Sequence, residues 1–180
     1  MEFRKQISHR NLRLEHFVVA GVMMLIVAFC FPECGYKFNS ATVPPEVKTV
    51  RVQTIENRAR IVNPLLSPRL TDRLKQKVVS QTRLSPTNND NADWDISGFI
   101  TDYSISTSAI SNQQVANNRL TVGVHITLND HKRDTIIDND ISRSFEFKGN
   151  LSIQQAENQL GDEMVRTLVD DIFNRLFSNW

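Results

Sequence analysis

At 180 residues the chain is long enough for one domain of ordinary size and leaves little for a second. Its 40% hydrophobic and 23% charged residues suit a folded protein, and only six Gly and six Pro exclude a fibrous or low-complexity chain. A net charge of +1 gives no sign of nucleic acid as a partner.

The beginning of the chain differs from the rest. Arg4, Lys5, Arg10 and Arg13 precede an uncharged apolar run from Phe17 to Phe29, which gives way at Pro32 and Glu33. A basic flank, a short apolar core and a polar change are the layout of an export signal. A membrane-spanning helix needs about 20 apolar residues, more than this run supplies. Residues 1–33 are therefore read as an export leader, with a retained anchor as the alternative. Residues 34–46 are read as an anchor and tether ending at Pro44-Pro45, and 47–180 as a single domain. Both cysteines, Cys30 and Cys34, sit at the leader boundary, so the domain beyond has no disulfide of its own.

Val47 to Thr54 is β-branched and predicts a strand, with Val50, Val52 and Thr54 on one face. Glu56 to Asn63 has no clear period and reads as a loop. Ser67-Pro68 predicts a helix start, with Ser67 at the N-cap and Pro68 at the first helical position. Leu70, Leu74 and Val78 then recur at helical spacing, and the helix should end near Gln81 or Thr82. Ser85 to Asn91 reads as a polar turn.

Three strands are predicted next. Asp93 to Ile105 carries apolar groups on both faces, as a central strand would. Leu120 to Leu128 alternates cleanly, with Leu120, Val122, Val124, Ile126 and Leu128 inward. Ile141 to Lys148 puts Phe145 and Phe147 on one face. The intervening segments, Ser111 to Asn118 and Asn129 to Asp140, read as polar loops. Ser152 and Gln155 form a capping box for a last helix. Its apolar stripe comprises Met164, Val165, Leu168, Val169, Ile172, Phe173, Leu176 and Phe177. The order β-α-β-β-β-α predicts an α+β two-layer sandwich, with two helices on one face of a four-stranded, mostly antiparallel sheet.

Catalytic patterns are missing from this inventory. His125 falls on the polar side of its strand and His131 in a loop, without metal-ligand spacing. Asp130, Asp134, Asp138 and Asp140 do not fit a calcium loop of the EF-hand type. There is no Gly-x-Ser-x-Gly elbow and no glycine-rich phosphate loop. The expectation is a protein that is not an enzyme, with no catalytic residue, metal or cofactor.

Charge is divided along the chain. Cys34 to Arg83 holds ten Lys/Arg against three Asp/Glu, a net +7; Leu84 to Trp180 holds seven against fourteen, a net −7. Such runs form solvated faces, or a basic surface for an anionic ligand. Arg58, Arg60, Arg69 and Arg73, around the predicted loop and first helix, are the candidate basic set.

Several stretches in order resemble one family. They are Cys34-Gly35-Tyr36, Thr49-Val50-Arg51-Val52, Asn57-Arg58-Ala59, Val62-Asn63-Pro64-Leu65-Leu66-Ser67 and Ser80-Gln81-Thr82-Arg83-Leu84. Asn118-Arg119-Leu120-Thr121-Val122, Asp171-Ile172-Phe173-Asn174-Arg175 and Asn179-Trp180 follow. The series resembles the LptE-like lipopolysaccharide-assembly lipoproteins of Gram-negative bacteria. The resemblance implies two helices on a four-stranded sheet. It implies a lipid anchor in the inner leaflet of the outer membrane, on the periplasmic side, and a non-enzymatic role. It also implies a large outer-membrane β-barrel of the lipopolysaccharide translocon as partner, which the protein plugs and helps assemble while aiding lipopolysaccharide delivery to the surface. The alignment selects Cys34 for lipid attachment. Glu33 stands before it where a small residue is expected, so Cys30, with Val27-Ala28 upstream, competes. The alternative function is a membrane-anchored periplasmic binding module for another envelope component. Under the leading reading, exposed Arg58, Arg60, Arg69 and Arg73 suit lipopolysaccharide phosphates.

Overall fold

A computed structural model describes residues 43–111 and 114–177, with side chains outside 109–116. The leader 1–33, Cys30, Cys34 and most of the tether lie outside the described residues.

The described residues form, in chain order, β1 (Thr49–Val52), β2 (Glu56–Asn57), α1 (Leu66–Gln81), β3 (Ser85–Pro86), β4 (Trp94–Ser111), β5 (Gln114–Asp130), β6 (Thr135–Lys148) and α2 (Ile153–Phe177). The class is α+β, as the periodicity predicts. The sheet differs from expectation. It has six strands and is mixed, in the order β3-β1-β4-β5-β6, with β2 also on β4. β1 runs parallel to both β3 and β4, and β2 parallel to β4. Only β4-β5 and β5-β6 are antiparallel hairpin pairs. The cause is α1, a crossover that returns the chain so that β4 must enter beside β1 in the same direction.

The small strands escaped prediction because two-residue elements have no period. Ser85 donates its N–H to Lys48 O and Thr87 to Val50 O, at 2.8 and 2.9 Å. Pro86, between them, lacks a donor and is tolerated at this sheet edge. The segments read as loops are also strand: β4 and β5 continue to Ser111 and from Gln114, and β6 begins at Thr135. Polar residues pair across the sheet face opposite α1 and α2. Thr127 donates to Asp138 at 2.6 Å, and the hydroxyls of Thr121 and Ser144 meet at 2.9 Å. Of the acidic run, Asp130 and Asp134 bracket the β5–β6 turn, and Asp138 and Asp140 lie in β6. Asp130 Oδ1 accepts from the N–H groups of Lys132 and Arg133, and Asp134 takes φ 51°.

The first helix also starts differently. Leu65, not Ser67, is its N-cap, without a side-chain cap bond of its own. Asn63 Oδ1 instead accepts from the N–H groups of Leu65 (2.9 Å) and Leu66 (3.2 Å). Ser67 Oγ is drawn to Ile55 O at 2.5 Å. The box at the start of α2 forms as expected. Gln155 N–H donates to Ser152 Oγ at 3.2 Å and Ser152 N–H to Gln155 Oε1 at 3.0 Å.

The core lies between the helices and one sheet face. Trp94, Ile96 and Ile100 of β4, Leu120 to Leu128 of β5, and Ile141, Phe145 and Phe147 of β6 meet Leu70, Leu74 and Val78 of α1 and the predicted stripe of α2. Phe177 packs on Trp94, ring centroids 5.6 Å apart. Two ion pairs report the helix direction. Arg69 faces Asp162 at 3.8 Å and Lys77 faces Asp170 at 2.5 Å. Moving forward along one helix moves forward along the other, so the helices run parallel. Both N-termini therefore lie at one end of the domain.

Candidate functional site

The structure divides the candidate basic set between two places. Arg58 leaves β2 on the sheet face opposite α1 and α2. Its guanidinium stands 4.3 Å over the Phe99 ring and pairs with Glu56 at 2.8 Å. Arg60 follows in the exposed loop and has no ion-pair partner among the described residues. Arg69 and Arg73 lie on α1, lining an open groove of about 880 Å³ between the helices. Asp72, Asp162 and Glu163 line that groove too, against a third cation, Arg166. Its charges balance, so the four arginines do not form one basic patch.

The loop between β2 and α1 is held by a chain of polar contacts. Asn57 accepts from Ala59 N–H at 3.1 Å and donates to Asn63 O at 3.3 Å. Asn63 is buried, and besides capping α1 it donates to Tyr103 Oη at 3.2 Å. Tyr103 in turn donates to Glu157 of α2 at 2.6 Å. Burial first, and the Glu157 carboxylate second, push the Tyr103 phenol well above its usual range. Among these fixed points, Ile61, Val62 and Leu65 are 47%, 59% and 58% exposed. Leu65 and Leu66 border a small cavity with Gln154 of α2, beside Ile153, which is 54% exposed.

The sheet face opposite α1 and α2 is polar. Across one row, Glu56, Phe99, His125 and Asp140 stand side by side in register. His125 Nδ1 lies 2.8 Å from Asp140, and Nε2 lies 3.6 Å from Asp138. The ring packs against Phe99, centroids 5.0 Å apart. His125 is thus a sheet-surface residue, as its position on the strand predicts. Among the described residues no three His, Cys, Asp or Glu are arranged to hold a metal. The groups with displaced proton affinities join elements together. Asp95 is opposed by burial, yet hydrogen bonds from Arg51 and Gln53 keep its carboxyl below the usual range.

The family model described as lipopolysaccharide-assembly, LptE, matches residues 47–176, which takes in every element from β1 almost to the end of α2. The chain belongs to the LptE family. No curated relative matches it. Among solved structures, this LptE-family chain is similar to a minor lipoprotein from Acinetobacter baumannii, at 12% identity and TM-score 0.47. That match covers 72% of this chain and 91% of the other. It is similar to a Neisseria meningitidis lipoprotein at 13% identity and TM-score 0.39, covering 68% and 99%. It is similar to the rare lipoprotein B of Shewanella oneidensis at 15% identity and TM-score 0.38, covering 70% and 92%. The family assignment rests on the match over 47–176 and not on these likenesses.

Sequence reasoning missed the exposed aliphatic residues of the loop. The signal was present in Ile61-Val62 and Leu65-Leu66, but without a period nothing distinguished core from surface. Only Leu66 turned inward.

Proposed function

We propose that this LptE-family protein is a non-enzymatic accessory lipoprotein of the outer-membrane lipopolysaccharide translocon. It is anchored through Cys34 on the periplasmic side, and it fills and helps assemble a large partner β-barrel. The family match over 47–176 carries this reading. The polar face of β4, β5 and β6 supports it, because a wide barrel lumen is polar and must be filled to stay closed. In this reading Arg58 and Arg60 contact lipopolysaccharide phosphates, while Arg69 and Arg73 are neutralised within the helix groove.

Affinity purification of the tagged protein from detergent extracts should recover one large β-barrel protein in stoichiometric amount. Recovery of the chain alone, with surface lipopolysaccharide unchanged on its depletion, would favour the alternative binding module. Mass analysis of the mature N-terminus decides between Cys34 and Cys30. Charge reversal in Arg58→Glu/Arg60→Glu should weaken lipopolysaccharide binding about tenfold or more, with added salt acting in the same direction. Unchanged affinity would remove both residues from the site.

A further inference from the structure

β6 is a sheet edge along its whole length. The opposite edge, β3, is two residues long and carries Pro86, which blunts it. β4, open past its pairing with β2, is interrupted by register shifts. β6 instead runs for 14 residues, about 46 Å at ~3.3 Å per residue, and pairs with β5 from end to end without a bulge. It has no proline, and among the described residues no strand meets its outer side. Alternate N–H and C=O groups along it point outward. Beside this edge lies an open cleft of about 360 Å³, with Asp140 to Arg143 of β6 on one side and Asp171, Asn174 and Arg175 of α2 on the other.

The two faces of the edge differ in charge. On the helix side, Ile137 and Ile141 pack on the core, Arg143 is held by Asp171, and Arg175 has no ion pair among the described residues. On the other side, Asp138 and Asp140 stand two residues apart. They meet His125 and the Thr127 hydroxyl, but no Lys or Arg among the described residues. Glu146, further along, is matched by Arg119.

This pattern separates the occupants, because opposite charges across a ladder attract and like charges repel. A second copy fits badly. Antiparallel pairing of β6 with itself, the sheet faces kept continuous, puts Asp138 opposite Glu146 when centred on Ser142. Centred on Ile141, it sets Asp140 diagonal to its own copy. A foreign strand with two bases flanking an acid suits both faces. The bases meet Asp138 and Asp140, and the acid between them turns to the helix side, toward Arg175. We propose that β6 takes on an added strand from a partner chain with this alternation, main-chain bonds supplying affinity and the charges fixing register. The site is separate from the arginines assigned to lipopolysaccharide, and the proposal does not depend on them.

The probe is the dye-labelled peptide Thr-Val-Lys-Glu-Lys-Val-Thr, blocked at both ends and titrated with the full chain by fluorescence anisotropy. Two further forms keep its charge. One is N-methylated at both Val and at Glu, the other at both Lys. Only one of these sets points its N–H groups at β6, so one form should lose binding about tenfold or more and the other should keep it. Asp138→Lys/Asp140→Lys should also weaken binding about tenfold or more. Both carboxylates are exposed, so the change spares the core. The peptide with Glu in place of both Lys should then bind this variant and not the native chain. No binding to the native chain, or equal binding of the two N-methylated forms, which would mean charge attraction alone, overturns strand addition. Unchanged affinity in the double variant overturns the assigned charges. A dimer of the native chain in sedimentation that excludes the peptide makes a second copy the occupant and overturns the foreign strand.

Discussion

Asp93 shows how much of this fold hangs on single side chains. Its carboxylate accepts the N–H of Lys48 at 2.8 Å and of Thr49 at 2.9 Å, and pairs with Lys132 at 3.0 Å. Its own N–H donates to Thr49 Oγ1. The hydrogen bond from Lys48 N–H, with Lys132 and Thr49 adding to it, holds the carboxyl well below the usual range. A depressed folded pKa means stability that is complete above the unfolded value, near ~3.9, and is lost as pH falls through the folded one. The wild-type protein should therefore lose stability in denaturant titrations below about pH 4. Asp93→Asn should flatten part of that acid limb and cost about 1.5–3 kcal/mol at neutral pH, the range for hydrogen bonds to a charged group. Equal acid sensitivity in both proteins would remove Asp93 from this role. Nothing local in Ala92-Asp93-Trp94 announces it, because its partners lie far away along the chain on both sides.

At the level of elements, two glycines behave oppositely. A Cβ on Gly161 would meet Arg69 Nη1 at 3.2 Å, the far end of a flexible side chain whose ion pair is already long. Gly161→Ala should therefore raise stability by up to about 1 kcal/mol through helix propensity. A Cβ on Gly98 of β4 would lie 2.5 Å from His125 O, in the backbone of β5, which cannot move aside. Gly98→Ala should lower stability by about 1–3 kcal/mol and leave Gly161→Ala as the contrast in the same thermal or urea series. The elements themselves were unevenly legible. α1, α2 and the middle of β5 are long enough to show a period, and the capping box of α2 reads directly. β2 and β3 are too short for any pattern, and the polar extensions of β4, β5 and β6 alternate only once their partners are known. Ser67-Pro68 looked like a helix start because the residue that caps α1, Asn63, sits further upstream in a loop without periodicity.

For the molecule as a whole, the split into a basic early half and an acidic later half becomes a set of ties. Arg51 pairs with Asp95 at 2.5 Å and also with Asp90, Lys77 with Asp170, and Arg69 with Asp162. In the reverse sense, Glu46 pairs with Arg133 at 2.9 Å. Much of the charge that suggested a basic surface is thus spent within the fold, and the candidate set was legible residue by residue but not as a surface. Such pairs contribute modestly and are screened. Raising NaCl to about 1 M should lower stability in urea by about 1–2 kcal/mol in total, and a larger loss would mean that the pairs act as a network.

β1 gives the domain a preferred response to force. The chain comes in at Val43, whose carbonyl accepts from Arg83 just past the end of α1, and passes directly into β1. That strand is flanked by β3 and β4, both parallel to it, and leads toward the end where the helices begin. Tension between whatever holds the chain ahead of Val43 and whatever holds the rest of the sheet at the end where the helices begin acts lengthwise on β1. The ladder bonds on both sides then share the load and fail together in shear, rather than unzipping one at a time. A short strand thereby serves as a mechanical clamp.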